Sequence, residues 1–303
     1  MFDVHPKLRD PCARVLFVVA HPDDEVIGAG GSLLSRFEDC QVVHVTDGAP
    51  ANLLYAQHAG FKTTFEYADA RREEAAMALS LAGITDNQII ELGVTDQQSS
   101  YQLVTIARRL SKLFTQIEPD IVITQPYEGG HPDHDATAFA VHLARRLLHD
   151  EQTIAPEIFE MTSYHRRNER VIYSEFLPRE GTAPVTIALA QPEKELKQKM
   201  FECFHTQRGV LCWFPIEVER FRKAPPYNFT RPPHAGRLHY DYFDWGVTGE
   251  KWLRLAREAL RVLAQGEVHG AFDFEHSLSV GARRSKSSWW GRTDIDISGH
   301  SAR

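Results

Sequence analysis

Residues 14–25 of the chain read RVLFVVAHPDDE, an apolar run that ends in a histidine and three acidic side chains. The apolar part is typical of a strand that is buried on both faces of a parallel sheet. Open α/β sheets bind their ligands at the carboxyl ends of such strands. His21 and the acidic residues that follow it are therefore predicted to lie in a ligand site.

A second stretch repeats this arrangement about 110 positions further along the chain. Residues 121–124 form another apolar run, IVIT, and the motif His131-Pro132-Asp133-His134 follows it. Histidine nitrogens and carboxylate oxygens are both suitable ligands for zinc. Two strand ends that each carry His and Asp predict a shared metal site.

Strands and helices alternate through the first half of the chain. Their order predicts a mostly parallel sheet with helices on both faces, an α/β fold of Rossmann-like type. Residues 49–65 show no clear period and are predicted to form a long connection over the site. Strands are expected over residues 14–20, 41–46, 88–93, 120–124 and 157–163, and helices over residues 28–37, 67–81, 103–117 and 135–149.

The second half of the chain is less regular. Residues 207–249 are rich in Pro and aromatic residues, which predicts an ordered wrapping segment because disordered segments are poor in aromatics. A single domain is expected over residues 1–280, followed by a polar, mobile tail over residues 281–303. Residues 171–176 and 185–189 are expected to form strands that add to the sheet edge in antiparallel orientation. Helices are expected over residues 193–206 and 249–263.

Composition argues against several classes of function. The chain has 303 residues and a net charge of −7, which does not fit the basic face of a nucleic-acid-binding protein. No apolar run approaches the ~18–20 residues that a membrane span needs, and the first residues lack the pattern of a signal peptide. The four cysteines form no C-x-x-C motif and are expected to be buried, reduced thiols in a cytoplasmic protein, without a role at the metal.

The first cluster has a spacing that suits a catalytic zinc site. Such a site usually has three protein ligands and an open position for water or substrate. His21 and Asp24 lie three residues apart on a tight turn, so both side chains can point at one ion. The second cluster supplies one further ligand, either His131 or His134, and leaves the other histidine for chemistry. For an isolated acid in such a turn, a helix cap is the alternative.

The remaining polar residues of the two clusters suit hydrolysis of an amide. Asp23 is predicted to be an unliganded general base that accepts a proton from a zinc-bound water. A protonated His131 is expected to stabilise the negative oxygen on an attacked carbonyl, with Asp133 orienting it. For Glu25, a structural hydrogen bond and a contact with substrate are both open. The glycines at 28–31 depart from G-x-G-x-x-G, so nucleotide binding is not favoured.

With these two motifs the chain resembles the PIG-L/LmbE-like family of zinc-dependent deacetylases. That family carries A-H-P-D-D-E after its first strand and H-P-D-H after a later strand, and both motifs are present here in full. The resemblance covers roughly residues 14–210. Three shorter stretches also resemble the family: Thr46-Asp47-Gly48, Arg71-x-x-Glu74 followed by Gly83, and His205-Thr206-Gln207.

The resemblance implies a set of metal ligands, a general base, and a histidine–aspartate pair that stabilises the oxyanion. The implied metal ligands are His21, Asp24 and His134. The implied general base is Asp23, and the implied oxyanion-stabilising histidine is His131, with Asp133 behind it.

The resemblance also implies a substrate class. Arg71 and Asp96 resemble family positions on loops that rim the site and contact sugar hydroxyls. The implied partner is a small-molecule amino-sugar conjugate that loses an N-acetyl group from an N-acetylglucosamine-type unit. The implied cofactor is zinc, with other divalent transition metals as possible substitutes. An amidase for a different acyl group and a non-catalytic sugar-binding protein of the same fold are the alternatives.

Overall fold

Nine strands and eight α-helices lie within residues 6–148 and 154–268, the part of the chain that the computed structural model describes. The strands are β1 Arg14–Val19, β2 Asp39–Pro50, β3 Ile89–Asp96, β4 Ile121–Thr124, β5 Glu157–Met161, β6 Tyr164–Arg167, β7 Arg170–Tyr173, β8 Val185–Ala188 and β9 Val218–Lys223. The helices are α1 Asp24–Ala29, α2 Leu53–His58, α3 Thr64–Leu81, α4 Leu103–Ile117, α5 Pro132–Arg146, α6 Gln191–Cys203, α7 Arg208–Leu211 and α8 Gly249–Val268.

Seven of the strands form one sheet in the order β3-β2-β1-β4-β5-β9-β8. The first five run parallel, and β9 is antiparallel to both of its neighbours. The strand order reverses between β1 and β4, and such a switch point is where doubly wound sheets bind ligands. The predicted Rossmann-like α/β fold is confirmed, and the two histidine motifs follow the two strands at the switch point.

Alternate residues of β1 are buried in two different cores, one on each face of the sheet. Val15, Phe17 and Val19 pack in a core with residues of α1, α3 and α6. Leu16 and Val18 pack in a second core with residues of α4, α5 and α8. Because successive side chains of a strand point to opposite faces, a strand covered on both faces has no polar position. This double burial fixes the end of β1, and with it the turn that carries His21.

The two helices that carry the motifs begin earlier than the sequence pattern indicated, and α1 also ends at Ala29 rather than near residue 37. α1 starts at Asp24 rather than at the glycines 28–31, and α5 starts at Pro132 rather than at residue 135. Proline suits the first turn of a helix because its missing N–H leaves no intrahelical bond unmade. Both motifs therefore lie at helix N-termini, where the helix dipole favours negative charge.

The second half departs from the prediction at two strands. β7 pairs with β6 in a separate hairpin and not at the sheet edge, whereas β8 does lie at the edge. β9 lies within the 207–249 segment, where no strand was expected. Its charged residues Glu219 and Arg222 are buried because they pair with Lys197 and Glu160, each at 2.8 Å. Paired and hydrogen-bonded charges allow a polar sequence to form an inner strand.

Four further expectations concern the cysteines, the 49–65 connection, membrane spans and the C-terminal tail. All four cysteines are free, as expected, but only Cys40 is buried; Cys203 is half-buried, and Cys12 and Cys212 are exposed. The connection contains one short helix, α2. No helix among the described residues is long and apolar enough to cross a membrane. The predicted tail over residues 281–303 lies outside the described residues.

Candidate active site

The two histidine motifs meet at the carboxyl edge of the sheet. Nδ1 of His21 lies 3.2 Å from Nε2 of His134 and 3.2 Å from Oδ2 of Asp24. Oδ1 of Asp24 lies 3.3 Å from Nε2 of His134, and all three side chains are buried. Ligands about 2.0–2.1 Å from a tetrahedral zinc ion lie roughly 3.3–3.4 Å from one another. The spacing of these donor atoms therefore fits a divalent cation.

Neighbouring polar groups set the orientation of both imidazole rings. Nε2 of His21 lies 3.0 Å from Oδ1 of Asp96, and Nδ1 of His134 lies 3.3 Å from Oγ of Ser163. Histidines that bind metals usually donate their second N–H to such a partner, which turns the lone pair of the other nitrogen toward the ion. Asp96 and Ser163 thus present a lone pair of each ring to the cluster.

The electrostatics of the cluster favour a positive charge at its centre. Burial opposes the charge on His21, yet Asp96 and two further carboxylates raise the pKa of this ring well above its ordinary value. Burial also opposes the charge on Asp24, but His134 and His21 hold the pKa of that carboxyl well below its usual range. Cation binding therefore competes with the proton on His21.

Two overlapping groups of possible ligand atoms surround His21 within the described residues. One combines the rings of His21, His131 and His134, and the other joins His21 and His131 to Asp96 and Asp133. Within each group the atoms lie within 4.8 Å of one another. Asp24 is in neither group. Its carboxylate nevertheless contacts both rings through different oxygens, Oδ2 at 3.2 Å from Nδ1 of His21 and Oδ1 at 3.3 Å from Nε2 of His134. The ligand set of His21, Asp24 and His134 stays a prediction, with a geometry that fits it.

Asp23 lies beside this cluster. It is not one of the three predicted metal ligands. Its Oδ2 accepts a hydrogen bond from Nη2 of Arg71 at 3.0 Å. Burial raises the pKa of Asp23 to about 6 against the opposing charge of Arg71. A pKa near neutrality suits a group that takes up and returns a proton. Asp23 occupies the N-cap position of α1 without a side-chain capping bond, so the helix-cap alternative does not apply to it.

The loop positions that the resemblance implied for Arg71 and Asp96 are wrong, whereas the helix predicted over residues 67–81, which contains Arg71, is confirmed. Arg71 lies in the middle of α3, and Asp96 is the last residue of β3. Both side chains are buried, Arg71 against Asp23 and Asp96 against His21. Their contacts with sugar hydroxyls stay predictions.

His131 and Asp133 are bonded differently from the expectation. Nδ1 of His131 accepts a hydrogen bond from the backbone N–H of Asp133, whereas the Asp133 carboxylate stays 4.0 Å away. That carboxylate instead accepts the backbone N–H groups of Gln97 and Ser99. Because Nδ1 is an acceptor, a neutral His131 carries its proton on Nε2. Burial and the charge of His21 hold the pKa of His131 well below its ordinary value, so the expected protonated ring is replaced by a neutral N–H donor.

The sequence around this site matches a known family. Residues 16–144 match the family model described as PIG-L: GlcNAc-PI de-N-acetylase. This part of the chain is a PIG-L family domain. The matched range contains every predicted site residue.

Curated relatives match part of the chain. The 1D-myo-inositol 2-acetamido-2-deoxy-alpha-D-glucopyranoside deacetylase of Mycobacterium sp. (strain KMS) is 28% identical over an alignment of 155 residues, which covers 44% of this chain and 50% of that protein. The probable N-acetyl-alpha-D-glucosaminyl L-malate deacetylase 2 of Bacillus cereus is 32% identical over 134 residues, 42% of this chain and 59% of that protein. The chain spans about half the length of the curated relatives it matches.

Solved structures share the fold of this chain over much of its length. The antimicrobial reagent A40926 pseudoaglycone deacetylase Dbv21 aligns with a TM-score of 0.55 and 21% identity, covering 72% of this chain and 99% of that chain. The N,N'-diacetylchitobiose deacetylase from Pyrococcus horikoshii aligns with a TM-score of 0.54 and 21% identity, covering 74% of this chain and 88% of that chain. At this level of identity the likeness shows the fold alone.

An aromatic side chain from beyond the PIG-L domain borders the site. The ring of Trp245 lies 4.6 Å from the ring of His131, and its Nε1 donates to the hydroxyl of Tyr55 at 3.2 Å. The ring of Phe243 stacks on the ring of Trp245, with centroids 4.5 Å apart. The 49–65 connection and the aromatic segment therefore meet beside His131. Other aromatics of the segment, such as Phe229 and Tyr240, are buried in the protein.

Sequence reasoning missed two further contacts of the site. Oε2 of Glu25 lies 3.3 Å from Nε2 of His44 on β2, close enough for an ion pair although not aligned for a hydrogen bond. Both residues are buried, which favours a structural role for Glu25 over a contact with substrate. Ser163, the partner of His134, follows no motif. The one signal for it is that it comes just after β5, the strand next to β4.

Proposed function

We propose that this protein is a metal-dependent amidohydrolase that removes the N-acetyl group from an N-acetylglucosamine-type conjugate. The observation that carries the proposal is the place of Asp23, an acid with a pKa of about 6 beside two ring nitrogens and a carboxylate that lie close enough together to hold a cation. The names of the curated relatives point to the same substrate class, an acetylated glucosamine linked to inositol or to malate.

His21, Asp24 and His134 would hold the ion. Two imidazoles and a carboxylate suit zinc, and iron, cobalt or manganese are accepted by similar sites. When bound, such an ion polarises a carbonyl and lowers the pKa of a water molecule towards ~7. The protein supplies the orientation of the ligands, because Asp96 and Ser163 fix the two rings before any ion arrives.

Asp23 moves the proton in the proposed reaction. Its carboxylate accepts a proton from the water that attacks the acetyl carbon, and it returns that proton to the amide nitrogen as the C–N bond breaks. The products are acetate and a sugar with a free amino group. A pKa of about 6 allows Asp23 to be ionised at neutral pH and still to hold the proton for part of the cycle.

His131 stabilises the negative charge that develops on the carbonyl oxygen. The hydrogen bond from the Asp133 backbone to Nδ1 leaves Nε2–H as the donor. A donor that is already oriented in a buried site stabilises such an oxygen without reorganisation. Trp245 packs against the ring of His131 and helps to hold it in place.

Acetate release tests the proposal. The zinc-loaded protein is incubated with N-acetylglucosaminyl-inositol, N-acetylglucosaminyl-malate and N,N'-diacetylchitobiose, and acetate and free amine are both measured. We expect at least one conjugate to yield the two products in equal amounts, and Asp23→Asn to release both at least about 100-fold more slowly. Tight binding of a conjugate without any acetate would support a sugar-binding protein instead. Hydrolysis of longer acyl analogues alone would support the amidase alternative.

A further inference from the structure

The guanidinium group of Arg71 joins two strand-end turns at the site. Nη2 donates to Oδ2 of Asp23 at 3.0 Å and to the carbonyl of Pro22 at 3.3 Å, in the turn after β1. Nη1 donates to the carbonyl of Gly48 at 3.2 Å, in the last part of β2. The side chain is buried, with 4% of its surface exposed. Its contacts therefore lie within the protein.

Gly48 leaves the space that the guanidinium group occupies. Its φ is +65°, a conformation that favours glycine. A Cβ at this position would lie 2.9 Å from Cδ of Pro22 and 3.0 Å from Cζ of Arg71. The glycine of the Thr46-Asp47-Gly48 stretch is thus needed for the approach of Arg71 to the turn that carries Asp23.

The helix that carries Arg71 is anchored on another part of the chain. Glu74, one turn further along α3, accepts hydrogen bonds from the backbone N–H of Thr206 at 3.0 Å and from its hydroxyl at 2.6 Å. The hydroxyl of Tyr67 accepts a hydrogen bond from Gln207 at 2.8 Å. Residues three apart lie on one face of a helix, so the Arg-x-x-Glu spacing places one residue on Asp23 and the other on the 205–207 turn.

From these contacts we propose that Arg71 is a positioning residue for the general base. It fixes Oδ2 of Asp23, and Oδ1 is left as the oxygen that exchanges the proton. Among the described residues, Oδ1 makes no hydrogen bond that would compete with this role. The catalytic part of this inference rests on the proposed function, whereas the contact between the two side chains does not.

Steady-state kinetics separate the two roles of Arg71. In Arg71→Met the carboxylate is free to turn, and we expect kcat to fall about 100-fold while KM stays within about twofold. Arg71→Lys keeps the charge but cannot span both carbonyls, so part of the lost kcat returns. Arg72→Met removes an exposed arginine of the same helix and is the matched control. A KM raised about tenfold with kcat unchanged would assign Arg71 to the sugar and overturn the proposal.

Unfolding of the metal-free protein tests the contact without catalysis. Asp23→Asn, Arg71→Met and the double variant form a cycle, and we expect the unfolding equilibrium constants to be non-additive by about tenfold. The cycle of Asp23→Asn with Arg72→Met should be additive. If Arg71→Met does not fold, Arg71→Lys replaces it in the cycle. Additive effects in the Arg71 cycle would overturn the contact. If the wild-type protein releases no acetate, the proposed function fails while this cycle still decides on Arg71.

Discussion

Nδ1 of His21 lies 3.2 Å from Nε2 of His134, although 113 positions separate the two residues in the chain. Two imidazole nitrogens approach so closely when one donates to the other or when both face a cation. Each ring has a polar partner on its other nitrogen. The carboxylate of Asp24 contacts both rings, with Oδ2 at 3.2 Å from Nδ1 of His21 and Oδ1 at 3.3 Å from Nε2 of His134. The arrangement favours a shared ion.

Loss of either histidine ligand should reduce metal binding. We expect His21→Ala and His134→Ala to weaken zinc binding at least about 100-fold, because an open zinc site has three protein ligands. Competition with a chelating dye measures the affinity. His58→Ala, at an exposed histidine of α2, is the matched control and should bind as the wild type does. Stoichiometric, tight zinc in either ligand variant would remove that residue from the ligand set.

Asp23→Asn should separate metal binding from chemistry. The amide keeps the shape of the side chain but cannot accept a proton, so we expect kcat to fall about 10²–10⁴-fold. Zinc content should stay at the wild-type value, since Asp23 is not among the three donor atoms. Metal analysis and acetate release on the same sample provide the check. Comparable turnover in the variant would refute the role of general base.

Asp96→Asn should act on the metal through His21. Removing the negative partner of Nε2 loosens the ring and lowers the basicity of Nδ1, so we expect zinc affinity to drop about 10–100-fold. Calorimetric titration of the metal-free protein measures this drop. Unchanged zinc affinity together with a raised KM would instead make Asp96 a sugar contact, as the family resemblance implied.

Metal binding should release a proton near neutral pH. In the metal-free protein the pKa of His21 is raised, since its carboxylate neighbours outweigh the cost of burial, so the ring is protonated at pH 7. An ion must displace that proton, and zinc affinity should therefore rise about tenfold per pH unit until the pH passes the raised pKa. Titrations in two buffers with different heats of ionisation count the protons. Binding without proton release would show that His21 is neutral before the ion arrives.

Much of the site could be predicted from the sequence because its residues follow buried strands. Once residues 15–19 and 121–124 are assigned to a parallel sheet, His21 and His134 must lie at the same edge. The helix starts were misplaced because Pro132 and its neighbours allow a turn to continue directly into a helix. A capping residue and a loop residue look alike in the sequence.

Long-range pairing of charged groups accounts for most of what the sequence did not predict. β9 was missed because Glu219 and Arg222 look like solvent-exposed residues, and only their partners on other elements allow burial. The contact between Arg71 and Asp23 joins residues 48 positions apart, and no local pattern specifies it. The approach of Trp245 to His131 depends in the same way on how the aromatic segment folds back.

Diffraction from crystals of the zinc-loaded protein at the zinc absorption edge tests the central claim most directly. We predict one strong anomalous peak about 2.0–2.2 Å from Nδ1 of His21, a carboxylate oxygen of Asp24 and Nε2 of His134, with Asp23 beyond bonding distance. An ion bound directly by Asp23, or one held by Asp96 and Asp133 while Asp24 stays free, would contradict the account.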